Sequence, residues 1–159
     1  MGSRSKIDLA YIAGFLDGDG SLMLQVKKRK DGRLKKRFMP TICFYQDTRH
    51  EKTLHWIRKI LCIGYISRRN DGMTELRING FRQVKGILEV LLPYIKFKKV
   101  QAKTLYVAVK MLIDVPLRKL NKRQLRRLGG FILEIQGENY STKHKKTRRE
   151  LYKFLDLTP

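Results

Sequence analysis

The chain has 159 residues, of which 36 are lysine or arginine and 14 are aspartate or glutamate, giving a formal net charge of +22. This excess of positive charge indicates a polyanionic partner such as nucleic acid. The apolar runs are too short to cross a bilayer, which argues against a membrane protein. The two cysteines, Cys43 and Cys62, form no CxxC pair. They predict a reducing compartment and no zinc site.

The first predicted element is a helix over residues 7–17, apolar on nearly every face, which indicates burial all round. A strand follows over residues 21–26, because Leu22, Leu24 and Val26 alternate with polar or exposed positions. The chain then turns at residues 31–32 and returns through Phe38 to Phe44, which predicts a hairpin. Pro40 lies in this returning strand and predicts an edge position or a bulge.

The same order of elements is predicted a second time. Thr48 and Glu51 fit a capping box that opens the helix ending near residue 61. A second hairpin over residues 65–79 turns at 71–72, 40 residues after the first Asp-Gly turn, and a helix over 81–92 follows. Further helices are predicted at 98–114, 121–136 and 141–155. The result is an α+β fold with an antiparallel sheet.

The most informative segment is YIAGFLDGDGS at residues 11–21, where a helix runs into Asp17 and Asp19. A carboxylate at a buried helix end is costly unless it is paired, and a divalent cation suits oxygen ligands. In a chain this basic, the pattern favours metal-assisted chemistry on a phosphate. A calcium loop of the EF-hand type is excluded, because its twelfth position, which needs glutamate, is Lys28.

Small residues recur at four-residue spacing along the same helix, at Ala10, Gly14 and Gly18. Such a track allows another backbone to approach closely. Two interpretations remain open from the spacing alone. The track faces this chain's own sheet, or it packs against the same helix of a second copy about a two-fold axis. In the second case two copies of Asp19 meet near the axis, and their like charges require a cation.

The segment YIAGFLDGDGS resembles the signature helix of the LAGLIDADG homing endonucleases. The predicted αββαββα order over residues 7–136, within one domain over 1–159 that ends in a basic helical tail (137–159), is similar to that fold. A single copy of the motif resembles the homodimeric branch. The resemblance implies an intron-encoded enzyme that uses Mg²⁺, with Ca²⁺ or Mn²⁺ as substitutes in vitro. It implies double-strand cuts in a long pseudo-palindromic DNA site, and no small-molecule substrate.

The resemblance also implies roles for particular residues. Asp19 matches the metal-binding carboxylate, assisted by the backbone carbonyl of Gly18, whereas Asp17 matches a structural aspartate that caps the partner helix or fixes a turn. The same match implies that Gln46 positions the attacking water, that Lys98 stabilises charge on the phosphate, and that His50 is a basic catalytic residue. The implied dimer interface consists of Ala10, Ala13, Gly14 and Gly18.

Residues 27–37 contain eight basic residues and one acid at the tip of the first hairpin. A two-stranded ribbon of this kind fits the DNA major groove. Basic clusters at 118–127 and 143–149 are expected to hold phosphates. The predicted DNA-binding residues are Met23, Gln25, Lys27, Arg29, Arg33, Lys35, Arg37, Met39, Thr41, Cys43, Ser67, Arg69, Glu75, Arg77, Lys143, Lys145 and Lys146.

Two other functions are compatible with the charge. One is a non-cleaving nucleic-acid-binding protein of the same fold, such as an intron RNA maturase or a transcriptional regulator. The other is a ribosomal or RNA-packaging protein, which would be monomeric and without sequence preference. The joint presence of Asp19, Gln46 and Lys98 favours the nuclease, because a binding protein does not need that set.

Overall fold

The computed structural model describes residues 4–32, 35–140 and 142–158. The elements of the first part are α1 (Lys6–Asp19), β1 (Gly20–Lys28), β2 (Lys36–Asp47), α2 (Lys52–Leu61), β3 (Tyr65–Arg68), β4 (Met73–Asn79) and α3 (Phe81–Leu91). The second part contains α4 (Lys99–Asp114), α5 (Lys122–Glu138) and α6 (Arg148–Phe154). The predicted α+β class and the αββαββα order are confirmed.

The four strands form one antiparallel sheet in the order β1-β2-β4-β3. The β1–β2 register runs without a bulge from Gly20 opposite Phe44 to Lys28 opposite Lys36. The bulge predicted at Pro40 is therefore wrong, whereas the predicted edge position holds locally, since β2 becomes an inner strand only from Thr41 onward. Pro40 is tolerated because β4 pairs with β2 only from Thr41 onward, so the missing N–H of proline costs no bond on that side.

The sheet has one covered face and one open face. Leu22, Leu24 and Val26 of β1 are buried as predicted, together with Ile42 and Leu76 from neighbouring strands. These side chains pack with α1, α3, α4 and α5 in a single core cluster. The intervening residues, which are the odd-numbered ones of β1, β2 and β4, form what we call the open face.

Helix α1 begins at Lys6 behind Ser5, whose side chain accepts a hydrogen bond from the Asp8 N–H. Its core side carries Leu9, Ile12, Ala13 and Leu16. The opposite side is uncovered, since Ile7 is 82% exposed and Tyr11 is 55% exposed. Burial of α1 on every side is thus contradicted within one chain. An apolar side left in solvent indicates a partner surface.

The junction between β2 and α2 differs from the predicted capping box. Asp47 starts a turn of 3-10 helix at Thr48–His50, accepting a hydrogen bond from the Arg49 N–H. Glu51 instead turns toward the sheet and accepts hydrogen bonds from Arg68 and Thr74. These bonds, the guanidinium of Arg68 first, lower the pKa of Glu51 to about 2. The tertiary ion pair thus replaces the local cap.

The C-terminal helix is shorter than predicted. It begins only at Arg148, behind a capping box formed by Thr147 and Glu150. The basic run before it forms no helix, because the Thr147 side chain accepts a hydrogen bond from the Glu150 N–H and thereby starts the helix after the run. Leu151 and Leu155 anchor α6 in the core against α5. None of the helices in the described ranges is long and apolar enough to span a bilayer.

Candidate active site

The end of α1 and the beginning of α4 meet at a cleft of about 510 Å³. Gly18 and Asp19 enter it from α1, and Lys98 enters it from the start of α4. The remaining walls come from the sheet and its β3–β4 turn, from α4, and from the end of α5 with the segment that follows it. Their residues are Gly20, Ser21, Met23, Tyr45, Arg69, Met73, Gln101, Glu138, Asn139, Tyr140 and Thr142.

Asp17 fixes the two helices relative to each other. Its carboxylate accepts hydrogen bonds from three successive backbone N–H groups, those of Lys96 (2.7 Å), Phe97 (3.1 Å) and Lys98 (2.9 Å). These groups precede α4 and have no partner inside that helix. Of the two structural roles predicted for Asp17, the geometry therefore matches fixing a turn of its own chain.

Lys98 is a buried lysine, only 5% exposed, rather than a solvated one. Its Nζ donates to the carbonyl of Leu16 at 2.9 Å and to the carbonyl of Asp17 at 2.6 Å. Burial lowers the pKa of Lys98, and the negative charges of Asp17 and Asp19 oppose that effect. An ammonium has three N–H donors, so one donor remains for a ligand in the cleft.

The last turn of α1 is electrostatically unusual. It holds Asp17 and Asp19 and no basic residue, although the C-terminal end of a helix already carries partial negative charge. A cation at this point is therefore favourable, and the exposed Asp19 with the Gly18 carbonyl offers the oxygen ligands that Mg²⁺ prefers. The described residues contain no cluster of three or more His, Cys, Asp or Glu side chains that could hold a metal.

The structure does not bring Gln46 and His50 to the cleft wall. Gln46 lies on the covered side of the sheet, paired with Thr74, and its Oε1 accepts a hydrogen bond from the Asp47 N–H at 2.9 Å. His50 is exposed in the 3-10 turn. Neither residue is among those that line the cleft in the described part of the chain.

The small-residue track does not face this chain's own sheet. A Cβ built on Gly14 or Gly18 meets no atom of the described structure within 4 Å, apart from the local backbone of α1 itself. Ala10 is likewise exposed. Ala13 is different, because it is fully buried on the core side, and its assignment to a dimer interface is contradicted. The helical period places it about 100° from Gly14.

Sequence reasoning missed apolar residues that extend the same uncovered side. Ile7 and Tyr11 continue the track toward the start of α1, and the Tyr11 ring contacts Trp56 of α2 edge to face at 5.4 Å. At the other end, the Phe97 and Tyr140 rings pair at 6.4 Å while remaining 65% and 73% exposed. The alternation of four- and three-residue steps between positions 7, 11, 14 and 18, which is the period of one helix face, was the available signal.

The open face presents a subset of the predicted DNA-binding residues. Exposed among them are Gln25, Lys27, Arg37 and Arg69, and half-buried are Met23, Met39, Ser67 and Arg77. Thr41 and Cys43 lie on this face but are fully buried, so their assignment to base contact is contradicted. Thr41 is held by Asn79, to which its hydroxyl donates at 2.7 Å, and burial raises the pKa of the Cys43 thiol to about 11.

Several other predicted contacts have partners within the chain. Glu75 is 8% exposed and pairs with Arg77 at 2.7 Å. It therefore orients that arginine and is not free to contact a base. Arg29 pairs with Asp31 at the hairpin tip, and Arg69 with Asp71. Lys35 is exposed at the base of the same tip. Arg33 lies outside the described residues.

Sequence reasoning missed Tyr45, which lies on the open face and in the wall of the cleft. Its hydroxyl is 3.0 Å from the Ser21 hydroxyl, and burial raises the pKa of Tyr45 to about 12.

In the tail, Lys143, Lys145 and Lys146 are exposed but lie before α6 rather than on a helix. Lys146 is fixed by its N–H, which donates to the Gln136 side chain, and by the Phe154 ring 4.6 Å from its Nζ.

Comparison with known proteins connects this geometry to a family. The model of the family described as LAGLIDADG endonuclease matches residues 12–113. The DNA endonuclease I-CvuI of Chlorella vulgaris is 36% identical over 109 residues, which are 69% of this chain and 68% of that protein. The DNA endonuclease I-CreI of Chlamydomonas reinhardtii is 25% identical over 152 residues, 96% of this chain and 91% of that one.

Solved structures give the same answer for the fold. A crystal structure of I-CvuI in complex with its target in the presence of Ca superposes with a TM-score of 0.84 at 29% identity. The superposition covers 95% of this chain and 94% of the I-CvuI chain. A second I-CvuI structure, with the I-CreI target and Mg, has a TM-score of 0.83.

Proposed function

Because the chain belongs to the LAGLIDADG endonuclease family, we propose that it is a site-specific homing endonuclease that cuts both strands of a long pseudo-palindromic DNA site as a homodimer. The observation that carries this proposal is the cleft at the end of α1. There an exposed carboxylate, Asp19, lines the same cleft as the buried ammonium of Lys98. Metal-assisted phosphodiester hydrolysis uses a carboxylate to bind the metal ion, and a positively charged side chain can stabilise the phosphate. Asp19 and Lys98 would supply these two groups.

The proposed cofactor is Mg²⁺, with Ca²⁺ and Mn²⁺ as possible substitutes in vitro. The Asp19 carboxylate and the Gly18 carbonyl would hold it, which suits an ion that takes few protein ligands and keeps several waters. When bound, the ion stabilises charge on the phosphodiester and promotes ionisation of a bound water. The crystallisation of I-CvuI with DNA in the presence of Mg or Ca supports this assignment.

The chain's own groups would orient and neutralise the substrate. Lys98 has one N–H left after its bonds to α1, and this donor would face the scissile phosphate as negative charge develops there. Asp17 positions Lys98 by binding its backbone N–H. The proposed roles of Gln46 in orienting water and of His50 as a basic residue rest on the family resemblance, and both require a geometry that forms with DNA bound.

Dimerisation would bring two copies of Asp19 together. The uncovered side of α1, with Ala10, Gly14 and Gly18, has space for a second helix backbone at close range. Two such helices packed about a two-fold axis would complete the pair of carboxylates that one chain lacks. Cations between the carboxylates would then offset their repulsion.

The open face would contact DNA. Gln25, Lys27, Arg37 and Arg69 are the exposed polar side chains placed to reach base edges, and the curved sheet of each protomer would read one half-site. The tail residues Lys143, Lys145 and Lys146 would bind phosphates and add affinity without sequence choice. We place the protein in a reducing intracellular compartment with access to DNA, either a prokaryotic cytoplasm or an organelle. The two free thiols support that placement.

The test uses a plasmid library with randomised pseudo-palindromic inserts, incubated with the protein and Mg²⁺, after which the new DNA ends are sequenced. Asp19→Asn should reduce cleavage to less than about one hundredth of the wild-type rate, because metal stabilisation of several kcal/mol is lost. Binding to the selected site should persist. Asp8→Asn, the same change in the first turn of the same helix, is the matched control and should cleave normally.

A wild-type protein that binds a unique duplex and leaves every plasmid uncut would support the non-cleaving maturase or regulator instead. A monomer that binds without sequence preference would support an RNA-packaging role. Undiminished cleavage by Asp19→Asn would remove the proposed mechanism.

A further inference from the structure

Gln101 is a polar residue in the cleft wall that no role above includes. It lies one helical turn after Lys98 on α4, is only 4% exposed, and lines the cleft together with Asp19 and Lys98. Its Nε2 donates to the backbone carbonyl of Glu138 at 3.4 Å. Its Oε1 is shielded from solvent and has no hydrogen-bond partner among the described residues.

The orientation of this amide follows from its neighbour. Only the Nε2 side can donate to the Glu138 carbonyl, so Oε1 is the group left over. A buried amide oxygen without a hydrogen bond costs about 1–3 kcal/mol, and native proteins pair nearly all such groups with protein or ordered water. Gln101 lines a polar cleft, so a rotation of its amide would turn this unpaired acceptor toward a donor that binds there.

We propose that Gln101 is a positioning residue for DNA cleavage, which acts by holding, together with Lys98, a water molecule that donates to the scissile phosphate. The remaining N–H of Lys98 thus acts on the phosphate through this water. The water accepts a hydrogen bond from Lys98, donates one hydrogen to Gln101 Oε1 and donates the other to a phosphate oxygen. Gln101 thereby fixes the position of the water, and the positive charge of Lys98 polarises it. This inference rests on the proposed nuclease function and concerns the same cleft.

A competing explanation is that Gln101 merely ties α4 to α5 through Glu138. The chain offers a control for that role one turn further along α4. Thr104 is 8% exposed, and its hydroxyl donates to the Glu134 side chain of α5 at 2.6 Å, outside the cleft. Thr104→Val therefore removes an α4–α5 hydrogen bond without changing the cleft wall.

The experiment compares Gln101→Met, which loses both the acceptor and the donor to Glu138, with Gln101→Glu, which loses the donor but keeps an acceptor oxygen, and with Thr104→Val. The difference between Met and Glu at position 101 therefore isolates the acceptor. Single-turnover cleavage of the selected site is measured at saturating protein, and affinity is measured separately in Ca²⁺. Gln101→Met is expected to lower the cleavage rate on the order of ten-fold, the value of one hydrogen bond, with affinity within about two-fold. Gln101→Glu should retain more activity than Gln101→Met, and Thr104→Val should cleave at the wild-type rate.

A double-mutant cycle provides a readout that a structural role would not move. If both residues hold one water, Lys98→Met combined with Gln101→Met should cleave no more slowly than Lys98→Met alone. Wild-type rates for Gln101→Met, equal losses for Thr104→Val, or fully multiplicative losses in the double variant would each overturn the inference while leaving the nuclease intact. Absence of cleavage by the wild-type protein would overturn both proposals.

Discussion

Asp17 and Lys98 hold each other by reciprocal hydrogen bonds. The Asp17 carboxylate accepts the backbone N–H of Lys98 at 2.9 Å, and the Lys98 ammonium donates to the backbone carbonyl of Asp17 at 2.6 Å. The end of α1 and the start of α4 are thereby locked together. Because Asp19 follows Asp17 by two residues, the lock also fixes the distance between the proposed metal ligand and the proposed phosphate-binding group.

Replacing Asp17 should destabilise the protein. Asp17→Asn keeps one acceptor oxygen but loses the charge and the second acceptor, so one or more backbone N–H groups before α4 lose their partner. We expect the free energy of unfolding to fall by about 1–3 kcal/mol, measured by urea denaturation. Asp114→Asn, an exposed aspartate at the other end of α4, should change it little. Equal stability of both variants would contradict the capping role of Asp17.

The lowered pKa of Lys98 predicts a pH dependence of cleavage. The ammonium acts only while protonated, so the alkaline limb of kcat/KM, which reports the free enzyme, should begin below the usual lysine range. Lys98→Arg should shift that limb upward, because a guanidinium stays charged above pH 12. The measurement is a pH–rate profile of both proteins, and coincident alkaline limbs would show that Lys98 does not control it.

The same pKa predicts the sign of a stability change. Between the lowered pKa of folded Lys98 and the value near 10.4 expected when unfolded, the unfolded chain binds more protons, so this residue's contribution to stability rises with pH. Below that window, folding must bury the charge at full cost. Lys98→Met should lack this rise when thermal unfolding is followed from pH 8 to about pH 10.4. If the stability of the wild-type and Lys98→Met proteins changed with pH in the same way, Lys98 would not have a lowered pKa in the folded protein.

The uncovered side of α1 predicts a dimer that one bulky residue can break. A Cβ at Gly14 meets no atom of a neighbouring element of its own chain, and replacing this glycine with leucine improves helix propensity by about 1 kcal/mol. The fold should persist while sedimentation shows a monomer and cleavage is lost. Gly130→Leu, at an equally open helical position on α5, should stay dimeric. A dimeric Gly14→Leu protein would place the interface elsewhere.

Gln25 tests the proposed reading surface. It is exposed on the open face opposite Met39, where a glutamine side chain can bond an adenine edge in two places. Gln25→Ala should relax discrimination at one base pair in each half-site by about 1–3 kcal/mol. The affinities of duplexes varied one base pair at a time provide the measurement. Gln83→Ala, an exposed glutamine on α3, should leave the preferences unchanged.

The sequence pattern was sufficient for the order of elements and for the two faces of the sheet. Leu22 and Leu24 alternate with Met23 and Gln25 because a strand has a period of two residues, and that period holds in any fold. The junction at Thr48 and Glu51 was misread, because the Arg68 and Thr74 side chains bind Glu51 more favourably than a local cap does. The helix predicted over 141–155 begins only at Arg148, because the capping box of Thr147 and Glu150 sets its start.

In the candidate site, too, some features follow from the local sequence and others from the tertiary structure. The segment YIAGFLDGDGS determined by itself that a carboxylate, Asp19, ends an apolar helix, because local sequence sets both helix and terminus. Only the tertiary structure decided that Lys98 is buried against that helix from 81 positions beyond Asp17, that Gln101 keeps an unpaired oxygen beside it, and that Cys43 is covered. Burial and pairing across such separations depend on how the helices pack on the sheet, and a linear pattern carries no record of that packing.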